Sequence, residues 1–358
     1  VKPCCKTRLF IYGSLIKKVL ATKSKAVNLE DLEYSYPESL VALKPQEPCR
    51  VLSLCGDKPE ELKLGNAFDV IQEGDLLIVN NSGVKSCRVF YEGSEFLFLG
   101  TKGDRLWEVL FKSAKYKVGH TFDLPGGVTA ELVVKGRPQV IKLDQDISED
   151  YFETHGEFAI PPYIQKLRDS RRTSSDDQDW YQLDWKKNIN SLAAPTASLH
   201  FKEKDLMALS ERGVNVAEVS LDVGLGTFLP LEKKNFDEKK LHVERFFIPE
   251  DTKNKLVLAK ENKKRIWALG TTALRAVESF TEDQVGVFAE TDLFIQPGYD
   301  FKWISGLFTN FHQPGSSLLA LVMAFNGVED TKKAYSFAVE NNFRLFSYGD
   351  LSIWKKPL

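Results

Sequence analysis

Between Arg88 and Glu157 the chain is cut into short alternating segments, EFLFLG, LWEVLF and VTAELVV among them, by Gly93, Gly100, Gly103, Gly119, Gly126 and Gly127. Segments of that length and period bury one face, and the glycine turns between them specify neighbouring antiparallel strands. From Ser191 onward a different regime takes over, with helices expected over 202–212 (stopped by Gly213), 251–263, 272–280 and 331–341 and apolar strands over 214–223 and 265–269. Such alternation argues for an α/β layer. The stretch 88–157 is then a small antiparallel sheet or barrel, an inserted β domain within a main domain made of residues 28–87 and 158–358.

Ahead of the insertion, residues 29–54 are punctuated by Pro37, Pro45 and Pro48, and a strand over 75–79 runs out into Asn80 and Asn81, which favour turns. Residues 165–179 carry Arg168, Arg171, Arg172, Asp176, Asp177 and Asp179 with few apolar positions, the composition of a mobile loop. The longest apolar run, 318–325, is far too short to span a bilayer, so no membrane partner is expected.

The 358-residue chain has a net charge of −2, yet residues 1–27 hold seven Lys or Arg and no acid, leaving 41 basic against 50 acidic residues, or −9, elsewhere. An acidic body cannot draw in a polyanion by bulk charge, so any contact with nucleic acid has to be local. Lys17 and Lys18 break the only stretch that a secretory signal would need, and residues 1–27 are expected to form a disordered or loosely helical basic extension. Cys4, Cys5, Cys49, Cys55 and Cys87 contain no C-x-x-C pair, and the histidines lack ligand spacing. A metal site is not expected, and the thiols suit a reducing, cytoplasmic setting.

Several loop clusters carry the polar chemistry. In ALGTTALRAVES, Gly270, Thr271 and Thr272 join a strand to a helix, where free N–H groups favour an anion and Arg275 lies one turn on; an ordinary glycine turn with a threonine cap accounts for the same residues. Gly224 and Gly226 in LDVGLGTFLP invite a nucleotide-binding reading, but Thr227, Phe228 and Pro230 follow where a dinucleotide fingerprint needs a third glycine and a helix. What survives is a backbone that a ligand can approach closely. Pro195 and Thr196 sit among small residues before His200, while Thr309, Asn310 and His312 precede a Pro–Gly loop; a lone His is more often structural than catalytic. Tyr348 and Asp350 fit a closing turn held by a Tyr–Asp hydrogen bond.

Taken in order, the runs YPESLVALKP, GDLLIVNNSGVKSCR, IPPYI, LAAPTASLHF, LDVGLGTFLPL, LHVERF, ALGTTALRAVES, DLFIQPGYDFK, TNFHQPGSSLLALVMAFNG and FRLFSYGD resemble the S-adenosylmethionine:tRNA ribosyltransferase-isomerase family across 29–353. The resemblance implies a mixed α/β main domain interrupted by a small inserted antiparallel β-barrel domain. It implies transfer and isomerisation of the ribosyl group of S-adenosylmethionine onto 7-aminomethyl-7-deazaguanine, the modified wobble guanine of a tRNA, with release of adenine and methionine and formation of epoxyqueuosine. S-adenosylmethionine is then a substrate, and no cofactor or metal is implied. On this reading His312 and His200 carry protons and Asn310, Thr309 and Thr196 orient the sugar. Gly224, Gly226 and Thr227 line the donor, and Thr271, Thr272 and Arg275 take the methionine carboxylate. Asn80, Asn81, Arg88, Pro195, Tyr348 and Asp350 complete the expected substrate-binding set, in a protein expected to act as a monomer. The family pattern has His at Asp222, Arg at Gly83, Gly at Ser198 and His at Lys239. Asp222 cannot be an imidazole near neutral pH but offers a carboxylate to a sulfonium. These departures raise the alternative of a diverged paralogue that binds tRNA or S-adenosylmethionine without turnover.

Overall fold

The computed structural model describes residues 28–56, 58–228 and 231–356, so the basic segment 1–27 lies outside the described residues, as does the side chain of Thr227. The strands Leu76–Asn80, Ile266–Leu269 and Gly306–Asn310 are buried at every position. Continuous apolar strands of this kind belong at the centre of a sheet covered on both faces. They sit in a nine-stranded sheet whose order runs Phe288–Leu293, Lys240–Phe247, Asn215–Asp222, Leu76–Asn80, Ile266–Leu269, Gly306–Asn310, Leu351–Lys355, Arg50–Leu54, Glu60–Lys63. The pairs from Asn215–Asp222 to Gly306–Asn310 are parallel, and both ends of the sheet turn antiparallel.

Alternate residues of the central strands feed two cores. Leu76 and Ile78 join the face packed by the helix Thr271–Ser279, while Leu77, Val79 and Trp267 join the other. Close packing fixes one glycine: a Cβ at Gly306 would stand 2.1 Å from a ring carbon of Trp267. The helices observed at Glu203–Glu211, Glu250–Glu261, Thr271–Ser279 and Val328–Glu340 match the periodic stretches to within a few residues.

The second sheet is antiparallel and seven-stranded, in the order Gly156–Glu157, Arg88–Tyr91, Ser94–Gly103, Leu106–Leu110, Gln139–Leu143, Val128–Val134, Thr121–Leu124. Its strands alternate: Phe122 and Leu124 are buried while Thr121 and Asp123 face outward. Their inner face makes a separate core around Phe96, Phe98, Leu132 and Ile141. Among the described residues no ladder joins the edge strands Gly156–Glu157 and Thr121–Leu124, so the sheet is an open, curled layer and not the closed barrel expected. The entry and exit of this excursion are paired, Gly156 with Val89 and Glu157 with Arg88.

The expected mobile loop at 165–179 is instead folded, with short helices at Pro162–Leu167 and Ser175–Trp180. The reason is Asp177, fully buried, which accepts both bonds of a fork from Arg168 Nη1 at 3.0 and 2.7 Å and caps Ser174 through its N–H and hydroxyl. The buried charge of this segment is thus paired within it, Arg168 with Asp177. Among the described residues no helix is long and apolar enough to cross a membrane.

Candidate active site

A cavity of about 440 Å³ opens where the parallel strands end at their C-terminal side, the usual location for a ligand in an open α/β sheet. The strand Ile266–Leu269 ends there in Gly270, whose φ of 92° is a conformation that side chains disfavour. The turn delivers the N-terminus of the helix Thr271–Ser279 to the cavity wall, with no side-chain cap on its first N–H groups. Those uncapped donors and the helix dipole favour an anion. Thr272 adds a buried hydroxyl that has no partner.

The neighbouring strand, Gly306–Asn310, supplies a further stretch of wall. Thr309 Oγ1 and His312 Nε2 are 2.8 Å apart, and Asn310 Oδ1 accepts the Thr196 hydroxyl at 2.8 Å. His312 is also fixed through its backbone, which donates N–H to Tyr335 Oη at 3.0 Å and accepts the Tyr34 hydroxyl at 2.7 Å. Burial alone pushes the His312 imidazole down to about 3, so it is neutral near pH 7. His200 lies behind this layer and does not line the cavity; its Nε2 is 3.4 Å from Asn310 Nδ2. Burial lowers it to about 4, against the opposing charge of Asp350 and with help from Arg344.

Arg275 lines the cavity and is bonded through Nη1 to Glu244, while its Nε and Nη2 are buried without partners. Glu244 also accepts the Gly224 N–H at 3.1 Å. Gly226 faces His242, where a Cβ would come within 3.2 Å of the His242 Cβ. His242 and Glu244 therefore share the cavity face of one strand, by the two-residue period of a pleat. Neither was among the candidate residues, although the His-x-Glu spacing in LHVERF carried that information once the segment was placed in a strand. The Gln313–Ser317 turn and Tyr163 are further walls that sequence reasoning did not single out.

The cavity thus brings together Pro195, Thr196, Gly226, Thr271, Thr272, Arg275, Thr309, Asn310 and His312. Other candidates lie elsewhere, committed to the fold. Asn80 is fully buried and spends its amide on Leu221 and Ser82 backbone groups at 3.0–3.1 Å. Asn81 bonds Glu218 and Ser220 at 2.8 and 2.7 Å. Gly224 is used through its backbone on Glu244. Tyr348 donates to Asp177 at 3.2 Å and not to Asp350, which is itself filled by Arg50 and Arg344 N–H groups at 2.6–3.0 Å. Asp222 pairs in register with Arg245, whose face alternates with that of Glu244, so its carboxylate turns away from the cavity and accepts the Ser82 hydroxyl at 2.9 Å. Burial raises its pKa, partly offset by Ser82, Arg245 and Lys85. Arg88 is buried in the seven-stranded sheet.

The model of the queuosine biosynthesis protein family matches residues 29–353. A protein of Treponema denticola named S-adenosylmethionine:tRNA ribosyltransferase-isomerase is 35% identical over 344 residues, covering 90% of this chain and 98% of its own. One of the same name from Staphylococcus epidermidis is 36% identical over 343 residues, with the same coverage. Among solved structures, the S-adenosylmethionine tRNA ribosyltransferase of Thermotoga maritima superposes with a TM-score of 0.50 at 27% identity, over 90% of this chain and 99% of that one.

Proposed function

The chain belongs to the queuosine biosynthesis protein family, and from that premise we propose that its 440 Å³ cavity seats S-adenosylmethionine next to a base of tRNA. The activity is that of an S-adenosylmethionine:tRNA ribosyltransferase-isomerase. The observation that carries the assignment to this cavity is its division into two chemistries. One wall offers the uncapped helix start at Thr271 and the Arg275 guanidinium, suited to the carboxylate of the methionyl part. The other offers neutral donors and acceptors, Thr196, Thr309, Asn310 and His312, suited to ribose hydroxyls. The volume lies within the range of small-molecule sites.

Ribosyl transfer from a sulfonium needs a proton removed beside the cationic sulfur and a proton given to departing adenine. His312 rests neutral and so offers a ring lone pair as a base rather than an imidazolium as an acid at pH 7. We assign delivery of the second proton to His242, whose exposed imidazole lines the cavity. His200 acts through Asn310 as a positioning group. S-adenosylmethionine enters as ribosyl donor and no resident cofactor is invoked. The finer reading is that the acceptor is 7-aminomethyl-7-deazaguanine at the tRNA wobble position and the product epoxyqueuosine. It also takes the chain to work as a monomer in the cytoplasm, with residues 88–157 as an inserted domain around its own core. Incubation with S-adenosylmethionine and tRNA bearing the aminomethyl base should release adenine and methionine. Binding of both substrates with no release would leave only the non-catalytic paralogue.

A further inference from the structure

A second groove of about 310 Å³ lies outside the cavity, between the turn at Phe90–Gly93 and the Arg171–Arg172 segment. The Phe90 ring that lines it packs against two guanidiniums. The Arg172 guanidinium sits 4.5 Å from the centre of the Phe90 ring and that of Arg88 sits 4.7 Å from it. Arg88 is 1% exposed, and among the described residues none of its guanidinium nitrogens has a hydrogen-bond partner; its one ion pair is a long one, to Glu95 at 3.4 Å. A buried guanidinium so poorly matched is costly unless counter-charge arrives. Arg172 is 64% exposed, held at its Nε by Glu157, and Arg171 is exposed with no ion pair or hydrogen bond among the described residues. The groove also carries Glu92, so its field is local, not a broad basic face.

We infer that this groove, built from Arg171 and Arg172 over the Arg88–Phe90 layer, holds backbone phosphates of the tRNA whose target base enters the cavity. Three points argue for a polynucleotide. The body of the protein is acidic, so a polyanion needs a concentrated local contact. Arginine forks match phosphate oxygens in pairs. The groove is also tethered close to the cavity: Glu157, under Arg172, is four residues from Pro161 in the cavity wall, a span of at most about 14 Å. A base seated in the cavity thus brings its flanking phosphates within reach. The inference rests on the tRNA reading above and extends it from the cavity to a second contact. It also gives Arg88 a place in substrate recognition, as buried charge beneath the contact and not as a ligand in the cavity.

The test is Arg171→Gln, alone and together with Arg172→Gln, set against Lys333→Gln on the exposed surface of the last helix as the one-charge control for the single variant. Affinity for the substrate tRNA is measured across salt, and turnover is followed by adenine release. Each lost phosphate contact lowers the salt slope by about 0.7–0.9, so the pair should flatten it by about 1.5 and raise KM for tRNA about tenfold. The kcat at saturating tRNA and KM for S-adenosylmethionine should stay within about twofold, and the control should match wild type. Arg171→Gln alone, which breaks no ion pair, should give about half the slope change. An unchanged slope and KM in an enzyme that still turns over overturns the groove and leaves the cavity reading intact. A collapse of kcat at saturating tRNA overturns it too, since the arginines would then be serving the chemistry or the fold. If the arginine pair flattens the slope as expected but the wild-type protein releases no adenine, the catalytic reading alone is sunk.

Discussion

Mild acid should loosen this fold through His312 before most carboxylates titrate. In the unfolded chain the imidazole takes up its proton near 6.5, whereas burial pushes the folded value down to about 3. The native state therefore holds the neutral form. Its contribution is complete above pH 6.5 and is lost as the pH falls from there towards 3, because only the unfolded chain gains a proton in that window. Each pH unit is worth about 1.4 kcal/mol, so a fall to about pH 5 removes about 2 kcal/mol. His200, with a folded value of about 4, is still neutral at that pH and adds a similar amount. Together they take about 4 kcal/mol, a large share of the ~5–15 kcal/mol that holds an ordinary protein folded. His312→Gln removes one of the two protons while keeping an amide to face Thr309. Urea unfolding between about pH 7 and pH 5, followed by fluorescence of the fully buried Trp267 and Trp354, gives the slope of stability against pH. The variant should be shallower than wild type by about 1.4 kcal/mol per unit. Parallel slopes would refute the claim that the fold keeps this imidazole neutral.

His312→Gln should also reduce turnover at least about a hundredfold if the lone pair takes the substrate proton; near-normal adenine release would remove it from the mechanism. His242→Gln should lower kcat by a similar factor with KM for S-adenosylmethionine little changed, and wild-type turnover would return the acid role to another group. Glu244→Ala leaves Arg275 buried without its partner and should cost about 3–5 kcal/mol in urea unfolding, while replacing both by Leu and Met should recover most of that stability and still lose S-adenosylmethionine binding in calorimetry. Gly306→Ala drives a methyl into Trp267 and should cost about 1–3 kcal/mol, against no more than a few tenths for Gly100→Ala, which meets nothing within 4 Å.

What the sequence disclosed follows from how far each signal reaches along the chain. Strands such as Ile266–Leu269 are buried on both faces, so their apolar runs are visible without knowing any partner. The glycine turns of the seven-stranded sheet are equally local. Closure of that sheet is not, because it depends on whether its first and last strands meet, and the ladder leaves them apart. Asn80 looks like a loop ligand from its neighbours, but its carboxamide is consumed by Leu221, 141 residues away. Asp177 sits in a charged stretch that resembles solvent-facing loop, and only the Arg168 fork reveals it as a buried cornerstone. In the cavity the threonines at a strand–helix junction were legible from the turn itself. Glu244 was not, since its meaning comes from Arg275 on a different element.

The pairing of Gly156 with Val89 and of Glu157 with Arg88 has an evolutionary corollary. A detour whose two feet are stitched together returns the chain to the point it left, so its hairpins can lengthen or shorten without moving the two ends apart. Selection can then act on those hairpins and on the cavity at different paces.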